Sequence, residues 1–80
     1  MAQNKKIQIY TSPTCHYCHL AKDFFTSNGI EYEEFDIMAD VTKRQEMIEK
    51  SGQMGVPVIV IDDQPMVGFD EGHLKSVLGL

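Results

Sequence analysis

Apolar positions along the chain recur with two periods, and the switches between them outline seven elements. Ile7-Gln8-Ile9-Tyr10 alternates apolar with polar, predicting a first strand from Lys6 to Thr11. Pro13 ends it, and Thr14 is placed to cap a helix running from Cys15 to about Asn28. Tyr17, Ala21, Phe24, Phe25 and Asn28 fall on one face of that helix, with Gly29 as its C-terminal stop. Tyr32, Phe35 and Ile37 mark a second strand among acidic residues. A second helix follows, capped by Asp40 or by Thr42, the latter spaced with Gln45 as a capping box. Its apolar content is thin (Val41, Met47, Ile48), so it lies on the surface as far as Ser51-Gly52. Val56 to Ile61 is apolar throughout and mostly β-branched, the pattern of a strand buried on both faces. Asp62-Asp63-Gln64-Pro65 reads as a hairpin turn into the short strand Met66-Val67-Gly68. Asp70 caps a last helix that turns Leu74, Val77 and Leu78 inward. The order βαβαββα predicts an α/β fold with a mixed sheet covered on both sides.

Eighty residues make one domain, 1–80, and a monomer is expected. Apolar content of 42% with 24% charged residues is that of a globular chain. A net charge of −5 argues against nucleic acid and against anionic membrane as partners. No apolar run approaches a membrane span, and Met1 to Lys6 lacks the apolar segment of a signal peptide. Two cysteines cannot build a disulfide framework, so the expected compartment is the cytoplasm and the expected chemistry is redox or metal.

Those cysteines form Cys15-His16-Tyr17-Cys18, placed where a strand feeds the first turn of a helix. Backbone N–H groups at a helix start stabilise a thiolate, and a second thiol one turn on can close a disulfide. Cys15 is therefore the expected nucleophile, and Cys18, a turn inside, the resolving thiol. Other chemistries fit less well. One C-x-x-C supplies at most half a zinc site, and the separate His73 is remote in sequence; a cluster shared between two chains stays open. A copper carrier would place two strands before the second helix. Cys15-His16-Tyr17-Cys18-His19 spells a haem-attachment pattern, but without an export signal. Two inert core cysteines would have no reason to sit at a strand–helix junction. No bound cofactor and no metal are expected. His16 reads as a solvent-facing modulator of the Cys15 thiolate, Tyr17 as the apolar wall of a groove or as a core aromatic, and Lys22 and Lys43 as solvated helix-surface charges.

Read together, these pieces resemble the glutaredoxin family of the thioredoxin superfamily. The likeness rests on Tyr10-Thr11, Cys15-His16-Tyr17-Cys18, Ser51-Gly52, Val56-Pro57 and Gly68-Phe69-Asp70, in order along essentially the whole chain. It implies a four-stranded mixed sheet with three flanking helices, a cis Val56–Pro57 bond facing the cysteines, and a dithiol–disulfide oxidoreductase acting on protein disulfides. Beside the dithiol, an extended Val56 can pair with a substrate main chain by strand addition. Tyr17, Val56, Pro57, Gly68, Phe69 and Asp70 would then bind substrate, Asp70 holding a glutathione amino group as well as capping its helix. Two positions depart from the glutathione-using pattern. Ser12 stands where those proteins usually carry lysine, and Val67 where they carry the first of two glycines. Gly68-Phe69 is instead similar to small redoxins that serve ribonucleotide reductase. The expected electron donor is a thioredoxin-reductase-type flavoprotein, or glutathione as a weakly used co-substrate.

Overall fold

The computed structural model describes residues 6–79; Met1–Lys5, all but the last residue of the segment read for targeting signals, lies outside the described residues. Seven elements follow in order: β1 (Ile7–Thr11), α1 (His16–Ser27), β2 (Glu33–Asp36), α2 (Val41–Ser51), β3 (Val58–Ile61), β4 (Gln64–Val67) and α3 (Glu71–Leu78). The strands form one sheet in the order β2-β1-β3-β4. β1 runs parallel to β2 and antiparallel to β3, and β3 runs antiparallel to β4. This is the mixed, helix-covered sheet that the alternating elements predict.

Because side chains alternate across a strand, the apolar run of β3 serves two cores. Ile59 and Ile61 join Ile7 and Ile9 against Ala21, Phe24, Phe25 and Leu74, the layer of α1 and α3. Val58 and Val60 join Tyr10 against Met47 of α2 and Ile37. All four β3 residues are buried, as a strand covered on both faces must be.

Several boundaries differ from the sequence expectation, each for a local reason. Asp40, not Thr42, caps α2: its carboxylate accepts the Lys43 N–H at 3.2 Å, so the Thr42–Gln45 capping box does not form. Val41, at the first helical position, is 73% exposed rather than part of the packed face. β2 is confined to Glu33–Asp36; Tyr32 and Ile37 flank it but still pack, Tyr32 against Phe25 and Ile37 beneath α2. α1 ends at Ser27 with Asn28 as its cap, whose side-chain amide donates to the Phe24 carbonyl at 2.8 Å; Gly29 lies one residue further. The hairpin turn is only Asp62-Asp63, and Gln64 and Pro65 already belong to β4, paired with Ile61 and Val60. Proline fits there because β4 is an edge strand, where no ladder donor is needed on the open side. Met66 and Val67 continue the strand, but Gly68 lies beyond it.

Candidate active site

Strand register gathers the candidate residues at one end of the sheet. Tyr10 pairs with Val58, and Val58 with Val67. One step further along each strand come Thr11, Pro57 and Gly68, and the Gly68 N–H donates to the Pro57 carbonyl at 2.8 Å. Past that line lie the Ser12–Cys15 turn, Val56 and Phe69-Asp70. The Val56–Pro57 bond is cis, and Pro57 is fully buried.

Cys15 is itself the N-cap of α1, displacing the Thr14 cap expected from sequence. Its φ of −88° and ψ of 111° are extended, and its Sγ accepts the Cys18 N–H at 3.1 Å. The Cys15 N–H in turn donates to the Ser12 carbonyl at 3.2 Å, closing the turn after β1. A sulfur that accepts a helix-terminal N–H is held where negative charge is favoured. Cys15 is partly exposed, whereas Cys18 is completely buried; both are free thiols. Burial pushes the Cys18 thiol up to about 12, assisted by its hydrogen bond to Cys15 and opposed by hydrogen bonding at Ser12. The two sulfurs thus differ in access, and Cys18 is held as a neutral thiol at neutral pH.

The buried stripe of α1 is Cys18, Ala21, Phe24 and Phe25. Tyr17 sits at its margin and is 60% exposed, which removes the core-aromatic alternative. Its ring meets the exposed His16 edge-on, with centroids 5.7 Å apart. Asn28, read on the same inward face, is likewise exposed. Val67 is 56% exposed, immediately before Gly68. Phe69 is half-buried and packs edge-on against Phe24 at 6.0 Å. Asp70 caps α3, accepting the His73 N–H at 3.1 Å. Among the described residues no three His, Cys, Asp or Glu side chains converge as a metal-ligand set.

Two lysines read as plain solvated charges are not. Lys22, one turn after Cys18, pairs with Glu34 of β2 at 2.9 Å, and the Thr11 hydroxyl donates to the same carboxylate oxygen at 2.9 Å. That pairing holds the Glu34 carboxyl below its usual range and the Lys22 ammonium above its own. Lys43 lies over the Phe35 ring, 4.1 Å from its centroid, and 3.4 Å from Glu46. The Lys22–Glu34 and Lys43–Phe35 contacts reach across to β2 and have no local sequence signature, whereas Lys43–Glu46 is a readable i,i+3 pair on α2. Gln53 is a further residue whose role composition does not reveal: its amide binds the backbone of Gly55.

The Glutaredoxin family model matches residues 7–66, which span the dithiol, both parallel strands, α2, the cis proline and most of β4. The chain belongs to the glutaredoxin family. It is 45% identical to glutaredoxin 3 of Escherichia coli K12 over 73 residues, covering 91% of this chain and 88% of that protein. Its backbone is similar to the crystal structure of the thioredoxin-like protein BC3987, with a TM-score of 0.86, 34% identity, and 91% and 100% of the two chains covered. It is also similar to the solution structure of glutaredoxin from Brucella melitensis, with a TM-score of 0.68, 38% identity, and 91% and 87% covered. Glutaredoxins are thiol–disulfide redox proteins, and this chain carries the two neighbouring cysteines such chemistry uses. No helix among the described residues is long and apolar enough to cross a membrane.

Proposed function

We propose that this glutaredoxin reduces protein disulfides through Cys15 and Cys18. The observation that carries the reading is the asymmetry of the pair: an accessible Cys15 sulfur on a backbone N–H, over a fully buried Cys18. The Cys15 thiolate attacks one sulfur of the substrate disulfide. That S–S bond breaks, the departing sulfur takes a proton from water, and a mixed disulfide remains on Cys15. Cys18 then gives up its proton and attacks the Cys15 sulfur, releasing the second substrate thiol. The substrate gains two electrons and two protons, and the protein is left with a Cys15–Cys18 disulfide. A thioredoxin-reductase-type flavoprotein, or two glutathione molecules that become glutathione disulfide, return the electrons.

In this reading Val56 offers its main chain to an extended substrate, Pro57 and Gly68 frame the dithiol, and Tyr17 with Phe69 gives apolar contact. His16 modulates the thiolate, Asp70 binds polar substrate groups beside its capping role, and Ser12 weakens glutathione use by lacking a cation. The protein works in the cytoplasm as a monomer without a bound cofactor.

The test is turnover of a disulfide-bridged peptide with NADPH and either donor system. Cys15→Ser is expected to abolish turnover. Cys18→Ser is expected to keep the first attack and accumulate a mixed disulfide visible by mass spectrometry. Retained turnover in Cys15→Ser, or faster alkylation of Cys18 than of Cys15, refutes the assignment of roles.

A further inference from the structure

Between α2 and Val56 the chain passes through Gln53-Met54-Gly55, and one side chain holds that passage. Gln53 Oε1 accepts the Gly55 N–H at 2.6 Å, while Gln53 Nε2 donates to the Gly55 carbonyl at 3.0 Å. The same Nε2 lies 3.3 Å from Ser51 Oγ. Ser51 is anchored in turn, its hydroxyl shared between the Met47 carbonyl at 2.7 Å and the Gln53 carbonyl at 3.0 Å. The amide of Gln53 thus meets both polar groups of the Gly55 backbone, as a neighbouring strand residue would. Residue 55 has to be small for this: a Cβ there would come 2.8 Å from Gln53 Oε1.

We propose that Gln53 is a positioning residue that sets the register of substrate docking. With the Gly55 peptide groups already paired to the Gln53 amide, an extended disulfide peptide finds its first main-chain partner at Val56, beside the cis Pro57. This rests on the redox reading above and deepens it, because it assigns register selection to a residue that does not touch the reacting sulfurs. Releasing the clamp opens Gly55 to competing pairing, so a peptide binds in several registers, of which one presents its disulfide to Cys15. A small disulfide with no main-chain amides has no register to lose.

The experiment compares the natural chain with Gln53→Ala, Gln53→Glu and Gly55→Ala on two substrates, a disulfide-bridged peptide and 2-hydroxyethyl disulfide. Gln53→Ala is expected to lower kcat and KM for the peptide together, by about tenfold, as added non-productive registers do and at the size that two hydrogen bonds at a half-exposed site support. Its kcat/KM for the peptide, and both constants for the small disulfide, are expected to stay within about twofold. Gln53→Glu keeps an acceptor for the Gly55 N–H and should fall between, and Gly55→Ala should follow Gln53→Ala. An unmoved or raised peptide KM, or an equal change on both substrates, overturns the proposal. Amide hydrogen exchange at Gly55 reads the clamp without any turnover: faster exchange in Gln53→Ala is expected, and unchanged exchange refutes the clamp. If the natural chain reduces neither disulfide, the redox reading fails, and the exchange result separates that failure from failure of the clamp.

Discussion

The burial of Cys18 can be put to a kinetic test that isolates it from Cys15. A thiol at its ordinary value of 9.0 is about one-tenth thiolate at pH 8, whereas one pushed up to about 12 is about one part in ten thousand. Since the thiolate is the reacting species, alkylation should be slower by about a thousandfold from ionisation alone. Cys15→Ser removes both the sulfur that accepts the Cys18 proton and its charge, but leaves the larger cause, burial in the α1 stripe. In that variant we therefore expect iodoacetamide to modify Cys18 about a hundredfold more slowly at pH 8 than it modifies the unfolded chain. The rate should climb steeply as pH rises through 9 and beyond, and urea should abolish the difference. The assay is mass-spectrometric counting of alkylated protein against time, across pH and with and without denaturant. Native and unfolded rates within about threefold of each other at pH 8 would refute the reasoning. A slow Cys18 is what an intramolecular second step requires. It competes poorly for solution disulfides, yet attacks a neighbouring mixed disulfide with the advantage of proximity.

Other expectations concern stability and donor choice. Tyr10 is buried and donates to Glu46 at 2.5 Å, which raises its phenol well above the ordinary 10.0. Its contribution is complete below pH 10 and is lost as pH rises further, so stability in urea should fall above pH 10, less so in Tyr10→Phe. Glu46 and Glu34 are held below their ordinary 4.5, so their contribution is present above that value and fades as pH falls through the lowered values, measurable by acid titration of circular dichroism. Asp63 sits in the hairpin turn at φ 69°, a region that favours glycine; Asp63→Gly should stabilise by about 0.5–1 kcal/mol in thermal unfolding, and a lower melting temperature would contradict it. Ser12→Lys should improve glutathione-dependent turnover about five- to a hundredfold, the worth of one charge-assisted contact, while leaving flavoprotein-dependent turnover nearly unchanged; efficient natural glutathione turnover, unimproved by lysine, would mean another residue supplies the charge.

Much of the architecture was legible because each element carries its own period. The alternation at Ile7–Tyr10, the apolar block ending at Ile61 and the cap at Asp70 are local signals, and they led to the right element order. Cap identity was harder. Thr14 and Thr42 are good cap types at plausible spacing, but the chain places Cys15 and Asp40 in the extended conformation that a cap needs. Gln64-Pro65 reads as a turn by composition, yet its pairing is decided by β3, a partner that composition cannot reveal. Lys22 and Lys43 find Glu34 and Phe35 only after β2 docks beside β1. The dithiol itself was plain in the sequence; the division of labour between its sulfurs depends on burial that only packing creates.

The two cores described above share no side chain, yet both are lined by β3. Neither helical layer can therefore melt while leaving the other a finished wall, since losing β3 opens both at once. Unfolding should be a single cooperative transition rather than the peeling of one layer. The slowest-exchanging amides should be those of β1 and β3, at the centre of the sheet. The redox end is anchored to that central pair, so substrates meet it without any opening of the global fold.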